Sequence, residues 1–272
     1  MVKGQALALS CLAGLAAAAP AADVSSLVQK DARLHAGSAE GAGDHCDCFS
    51  WPFAYRHGAI CGSGHELDLI HGVPGPEAAK IGQMKFEFCE MLFGSLPDDF
   101  RFCINNDFVG SPTQWCYVNP MCKRSAPAQG GTLNVKNCTA GQDKSLGDLK
   151  FEEFAAYAHK SKLELGLLVQ YAYPRWEGEK LPDVQAFWGL PAPKDAAPIS
   201  EALKARLQAQ VSSGKPVFLS SRSGHPPFAV AEGEKLYYIN FAPKTAIDFK
   251  HKEDMNAWGC VAGCGSDNKP LW

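Results

Sequence analysis

Three histidines, His57, His65 and His71, fall close together in the chain, with Cys46, Cys48 and Cys61 nearby. Imidazole and thiolate are ligands that zinc prefers, so these histidines are the candidate metal ligands. The spacing fits no common zinc module, however. Cys46 and Cys48 stand closer together than the usual pair of zinc cysteines. His65-Glu66 is followed by a histidine two residues later than an HExxH metalloprotease needs, and the residue one helical turn beyond His65 is Leu69. Capping or solvent-exposed histidines beside oxidised cysteines explain the same residues with less chemistry.

Ser223 and His225 lie in the run Ser220-Ser221-Arg222-Ser223-Gly224-His225-Pro226, directly after a predicted strand. With Asp183, Asp195 or Asp248 to orient the imidazole, they would make the site of a secreted hydrolase. The G-x-S-x-G elbow is missing, and a serine two residues from a histidine is not yet a triad. A polar turn between strands is the competing explanation. There is no C-x-x-C pair, no phosphate-binding glycine loop and no EF-hand register, so no cofactor is implied. The sequence therefore leans away from an enzyme. Trp51, Tyr55, Trp115 and Tyr117 are its candidates for contact with a partner, as an exposed platform that stacks on a sugar or grips a protein. Their competing role is core, because small cross-linked units need bulky side chains inside.

The elements that must hold these residues follow from sulfur. The chain has 272 residues and 11 cysteines. It opens with one lysine and a Leu/Ala run to Ala22, the pattern of a secretory signal peptide over residues 1–21, and Cys11 would leave with it. Cys46, Cys48, Cys61, Cys89, Cys103, Cys116, Cys122, Cys138, Cys260 and Cys264 remain, an even number that predicts disulfides in an oxidising compartment. Asn137-Cys138-Thr139 is an acceptor sequence for N-glycosylation. Export or entry to an organelle lumen follows, with no transmembrane span in the mature chain. A net charge of -3 argues against nucleic acid as a partner.

Residues 22–44 read as a flexible leader. Residues 45–139 read as a disulfide-rich, irregular unit. In it, Ile81, Met84, Phe88, Cys89 and Leu92 predict a helix, and Phe100–Asn105 and Thr113–Val118 predict strands. Residues 140–272 contain no cysteine before Cys260 and read as a compact unit with an antiparallel sheet and two or more helices. One helix is expected near Phe151–Ala158 and another after Ser200. The apolar run Leu163–Tyr173 reads as a buried strand or a continued helix. The clearest hairpin joins Phe228–Ala231 to Leu236–Phe241. The fold class expected is α+β. Cys260 and Cys264 would either bridge locally or reach back to the first unit.

Trp115-Cys116-Tyr117-Val118-Asn119-Pro120-Met121-Cys122, with Tyr55-Arg56-His57-Gly58-Ala59-Ile60-Cys61 upstream, resembles the short WCYVDP-type cysteine module of algal and protist extracytoplasmic proteins. Asn119 stands where that module has aspartate, and a long insert separates the halves. The resemblance covers residues 46–122 and implies disulfide-bonded extracytoplasmic structure without any activity. The expectation is a non-catalytic secreted or lumenal protein that contacts a protein or glycan partner. The hydrolase at Ser223/His225 and the metal protein at His57, His65 and His71 are the alternatives.

Overall fold

The computed structural model describes residues 45–68, 82–106, 113–241 and 256–265. The expected signal peptide, the leader 22–44, His71 and Asp248 lie outside them. All described residues fall in one compact unit, Glu40–Trp272. The fold is α+β, with two antiparallel sheets, several helices and the disulfides concentrated in the N-terminal stretch.

The first sheet has the order β1-β2-β4-β3, from Ile104–Asn105 (β1), Gln114–Val118 (β2), Ala126–Pro127 (β3) and Asn134–Asn137 (β4). Strand β2 is its centre, pairing Ile104 with Trp115 on one side and Cys116 with Lys136 on the other. Side chains alternate along a strand, so β2 serves two interiors. Trp115 and Tyr117 enter a large aromatic core with Trp51, Phe93 and Phe100. Cys116 and Val118 pack instead with Cys46, Cys103 and Cys122. Helix α1, Trp51–Arg56, starts where Ser50 Oγ accepts the Phe53 amide and Pro52 occupies the first turn.

The expected helix around Leu92 is present but wider. Lys85–Leu92 is wound as a π-helix and closes in a 3-10 turn, Phe93–Ser95. Met84, Phe88 and Leu92 recur every four residues and are buried, a spacing that suits the wider winding. The strand expected over Phe100–Asn105 shrinks to β1. Phe100 and Phe102 instead reach the core from a loop.

Helix α2, Phe151–Lys160, buries Phe151, Phe154, Ala155 and Ala158, an i, i+3, i+4, i+7 stripe. Leu163–Tyr173 forms a short helix α3, Leu165–Leu168, and a 3-10 turn, Val169–Tyr171. Its lack of a sequence period has a physical cause: Val169, Tyr171, Ala172 and Tyr173 are all fully buried, so no polar face marks the turn. A further short helix, Leu181–Val184 (α4), precedes α5, Glu201–Ser213, which is capped by Ser200 Oγ on the Leu203 amide and ends at Gly214. The second sheet runs β5-β6-β7-β8, from Val217–Leu219, Phe228–Glu232, Lys235–Phe241 and Asn256–Ala262. The hairpin of β6 and β7 closes through Gly233-Glu234 between the paired Glu232 and Lys235.

The main core takes Trp51, Trp115 and Tyr117 from the cysteine-rich stretch and Phe151, Tyr171, Phe218 and Tyr237 from the stretch after it. The change in cysteine content near residue 139 is therefore crossed by continuous packing. A second core, with Trp176, Leu181, Leu207 and Leu219, lies between α5 and the second sheet.

Five disulfides link Cys46–Cys122, Cys48–Cys116, Cys61–Cys89, Cys103–Cys138 and Cys260–Cys264. The first four close separations of 76, 68, 28 and 35 residues. In the chain-entropy picture each such closure, taken singly, restricts the unfolded chain by roughly 3.5–4.5 kcal/mol. Cys260–Cys264 spans only 4 residues, so its effect is local and does not clamp distant segments. Gly263 lies between them at φ +72°, and a Cβ there would collide with Glu234 O, so the turn favours glycine. Among the described residues no helix is long and apolar enough to cross a membrane.

Candidate functional site

The predicted site residues are held by their own surroundings. His57 Nδ1 is 2.8 Å from Phe53 O and its ring stacks on Phe53 at 3.9 Å, so this histidine closes α1. His65 Nδ1 pairs with Asp68 Oδ2 at 2.7 Å, and its ring meets the edge of Trp115. These contacts engage one ring nitrogen of each histidine within its own segment. Ser223 Oγ bonds the main-chain N and O of His225 at 3.3 Å, and no described hydrogen bond reaches the His225 ring. Two of the carboxylates proposed to orient it, Asp183 and Asp195, are both bound by Arg222. Among the described residues the hydrolase geometry is therefore unassembled: His225 is exposed and the acids are spent on a cation.

The aromatic candidates need correction. Trp51, Trp115 and Tyr117 are at most 1 % exposed and Tyr55 is half-buried, so they form core rather than a platform. The rings pack edge to face, with Trp51 at 4.9 Å from Trp115 and Trp115 at 5.1 Å from Tyr117. Burial of these large surfaces outweighs leaving them open for a partner, because the sheet beside them is small.

What these rings surround is a carboxyl group. Glu66 is fully buried. Its Oε1 accepts from Tyr117 Oη at 2.5 Å and Tyr55 Oη at 3.1 Å. Its Oε2 accepts from the amides of Gly64 at 3.0 Å and Gly62 at 3.1 Å. Tyr171 Oη donates to the Glu66 carbonyl at 2.6 Å, and Ser63 Oγ lies 3.1 Å from Tyr117 Oη. Four donors thus converge on one side chain, as a buried carboxyl requires. Burial pushes the Glu66 carboxyl above the ordinary glutamate range, and the bonds from Tyr117, its own amide, Tyr55 and Gly62 oppose this without cancelling it. Burial also raises Tyr55, with the Glu66 charge adding to it. Gly64 is required by close approach: a Cβ there would collide with the Trp115 ring. The cluster fastens loop 61–67 onto β2, α1 and the turn after α3. Through these bonds the buried carboxyl positions the loop.

A second cluster lies on the other face of β2. The sulfurs of Cys48, Cys103, Cys116 and Cys138 all fall within 4.8 Å of one another, so two disulfides sit side by side. Beside them Lys136 Nζ, 4 % exposed at its side chain, pairs with Asp143 Oδ1 at 2.7 Å. Among the described residues this is the one grouping whose ligand atoms are close enough together to hold a metal ion. The histidine-based reading pointed to different residues.

Glu66 stands in a near-HExxH string, which draws attention to the histidines rather than to the carboxyl. The usable signal was the Gly62-x-Gly64-x-Glu66 pattern, which bares two amides beside one carboxylate. The sulfur cluster left no local signal, since its members span residues 48 to 138. No family model, curated protein or solved structure matches the chain.

Proposed function

We propose that the protein acts outside the cytoplasm, secreted or in an organelle lumen, as a non-catalytic protein that contacts a protein or glycan partner. The observation that supports this best is oxidation: all ten cysteines beyond the leader are joined in five bridges. The Cys46–Cys122 bridge closes the same stretch, 46–122, that resembles the extracytoplasmic cysteine module. Asn137 is exposed at the end of β4, where a glycan on its acceptor sequence would meet solvent. The engagement of Ser223, Asp183 and Asp195 with other groups supports the non-catalytic part.

Two experiments test the reading. Expressed with residues 1–21 in place in a secreting eukaryotic cell, the chain should enter the secretory route and carry an N-glycan that is lost in Asn137→Gln. Retention in the cytosol would overturn the compartment. A fluorophosphonate probe should leave Ser223 unmodified; stoichiometric labelling that disappears in His225→Ala would overturn the absence of catalysis.

A further inference from the structure

The four sulfurs of the two adjacent bridges lie near enough together that, once reduced, they could converge on a single cation. Cys48 Sγ and Cys103 Sγ belong to different disulfides and lie 3.6 Å apart. A tetrahedral zinc centre with Zn–S bonds of about 2.3 Å separates its sulfurs by about 3.8 Å. The contact between the bridges is therefore already close to a tetrahedral edge. The widest pair, within 4.8 Å, needs to close by only about 1 Å to reach the same edge.

The backbone holds these cysteines independently of sulfur. Cys103 N donates to Lys144 O at 2.8 Å, and Cys103 O accepts from Leu146 N at 2.9 Å. Cys138 N donates to Gln114 O at 2.6 Å. Cys116 sits in the middle of β2, and Phe49 N, next to Cys48, donates to Tyr117 O at 2.9 Å. These main-chain bonds do not run through the sulfurs, so they place the four cysteines together by a second route. Four thiolates on a doubly charged cation carry a net negative charge. The buried ammonium of Lys136, opposite Cys116 in the register, offsets part of it, although Asp143 returns some through its pairing with Lys136. Cys103 and Cys116 are fully buried while Cys48 and Cys138 are partly open, which gives the cation a side of entry.

We propose that, before its bridges form or after they are reduced, the chain binds one zinc ion through Cys48, Cys103, Cys116 and Cys138. Disulfide and metal are then alternative closures of one site. With a phosphine as reductant, each S–S bond breaks with two electrons from phosphorus, which takes the oxygen of one water, while the two water protons go to the sulfurs. Binding forms four Zn–S bonds and releases the four thiol protons.

The test uses the full chain, reduced with a phosphine in the presence of zinc and then alkylated. Peptide mass mapping should find Cys48, Cys103, Cys116 and Cys138 protected and every other cysteine modified. Cobalt in place of zinc should give one ion per chain with the absorption of a tetrahedral tetrathiolate, lost in Cys103→Ser. Equal alkylation of all cysteines, whether or not the reduced chain keeps its shape, would overturn the proposal. So would protection of a different set, or a tetrathiolate spectrum that survives Cys103→Ser. None of these outcomes bears on the proposed function, which concerns the oxidised chain.

Discussion

Glu66 shows how one buried side chain can organise a loop. Removing it by Glu66→Ala strands two phenol hydroxyls and two glycine amides that now donate to it. Each unmade buried bond costs about 1–3 kcal/mol, so a total loss of at least about 4 kcal/mol is expected from urea unfolding. Glu66→Gln keeps the shape and should cost less. The pH dependence has a definite sign. A carboxyl raised by burial holds its proton in the folded chain where the unfolded chain has lost it. Its contribution is complete below the ordinary glutamate range and is lost as pH climbs through the raised value. Unfolding measured across acid to neutral pH should show this decline in the native chain and a flatter curve in Glu66→Gln; identical slopes would count against it. At Gly64 the close approach of Trp115 makes Gly64→Ala destabilising by about 1–3 kcal/mol, read as a drop in Tm.

At the scale of elements, legibility tracked exposure. Helix α5 was readable because Ser200 and Gly214 bracket a segment with a solvent face. Ser200→Ala should cost about 1 kcal/mol in thermal or urea unfolding, the ordinary worth of a lost cap. The hairpin of β6 and β7 was readable from its turn and its β-rich flanks. Leu163–Tyr173 was ambiguous because burial of most of its residues, Val169 and Tyr171–Tyr173 among them, blurred its period. The π-helix was read as an ordinary helix, since a four-residue recurrence of apolar positions serves both windings. Strand β2 was visible as a strand. Its division of labour was not, because which face holds Glu66 and which holds the sulfurs depends on partners distant in sequence. The same limit explains the candidate sites. The sequence left the aromatics open between core and exposed platform, and the burial of Trp51, Trp115 and Tyr117 decides for core.

The whole molecule rests on its covalent links as well as its core. Three of the long bridges cluster at the first sheet and its flanking segments, Cys61–Cys89 ties the loop at Glu66 to the π-helix, and Cys260–Cys264 closes a single turn at the end of β8. Removing Cys46–Cys122 with paired serines should lower stability by roughly 4 kcal/mol, about twice the effect of removing Cys260–Cys264. Calorimetry of the two variants checks that order. The most direct measurement is peptide mapping of the native protein without reduction, after trapping free thiols. It should recover Cys46 with Cys122, Cys48 with Cys116, Cys61 with Cys89, Cys103 with Cys138 and Cys260 with Cys264. Recovery of most of these cysteines as trapped thiols would contradict the oxidised fold and the extracytoplasmic function proposed from it.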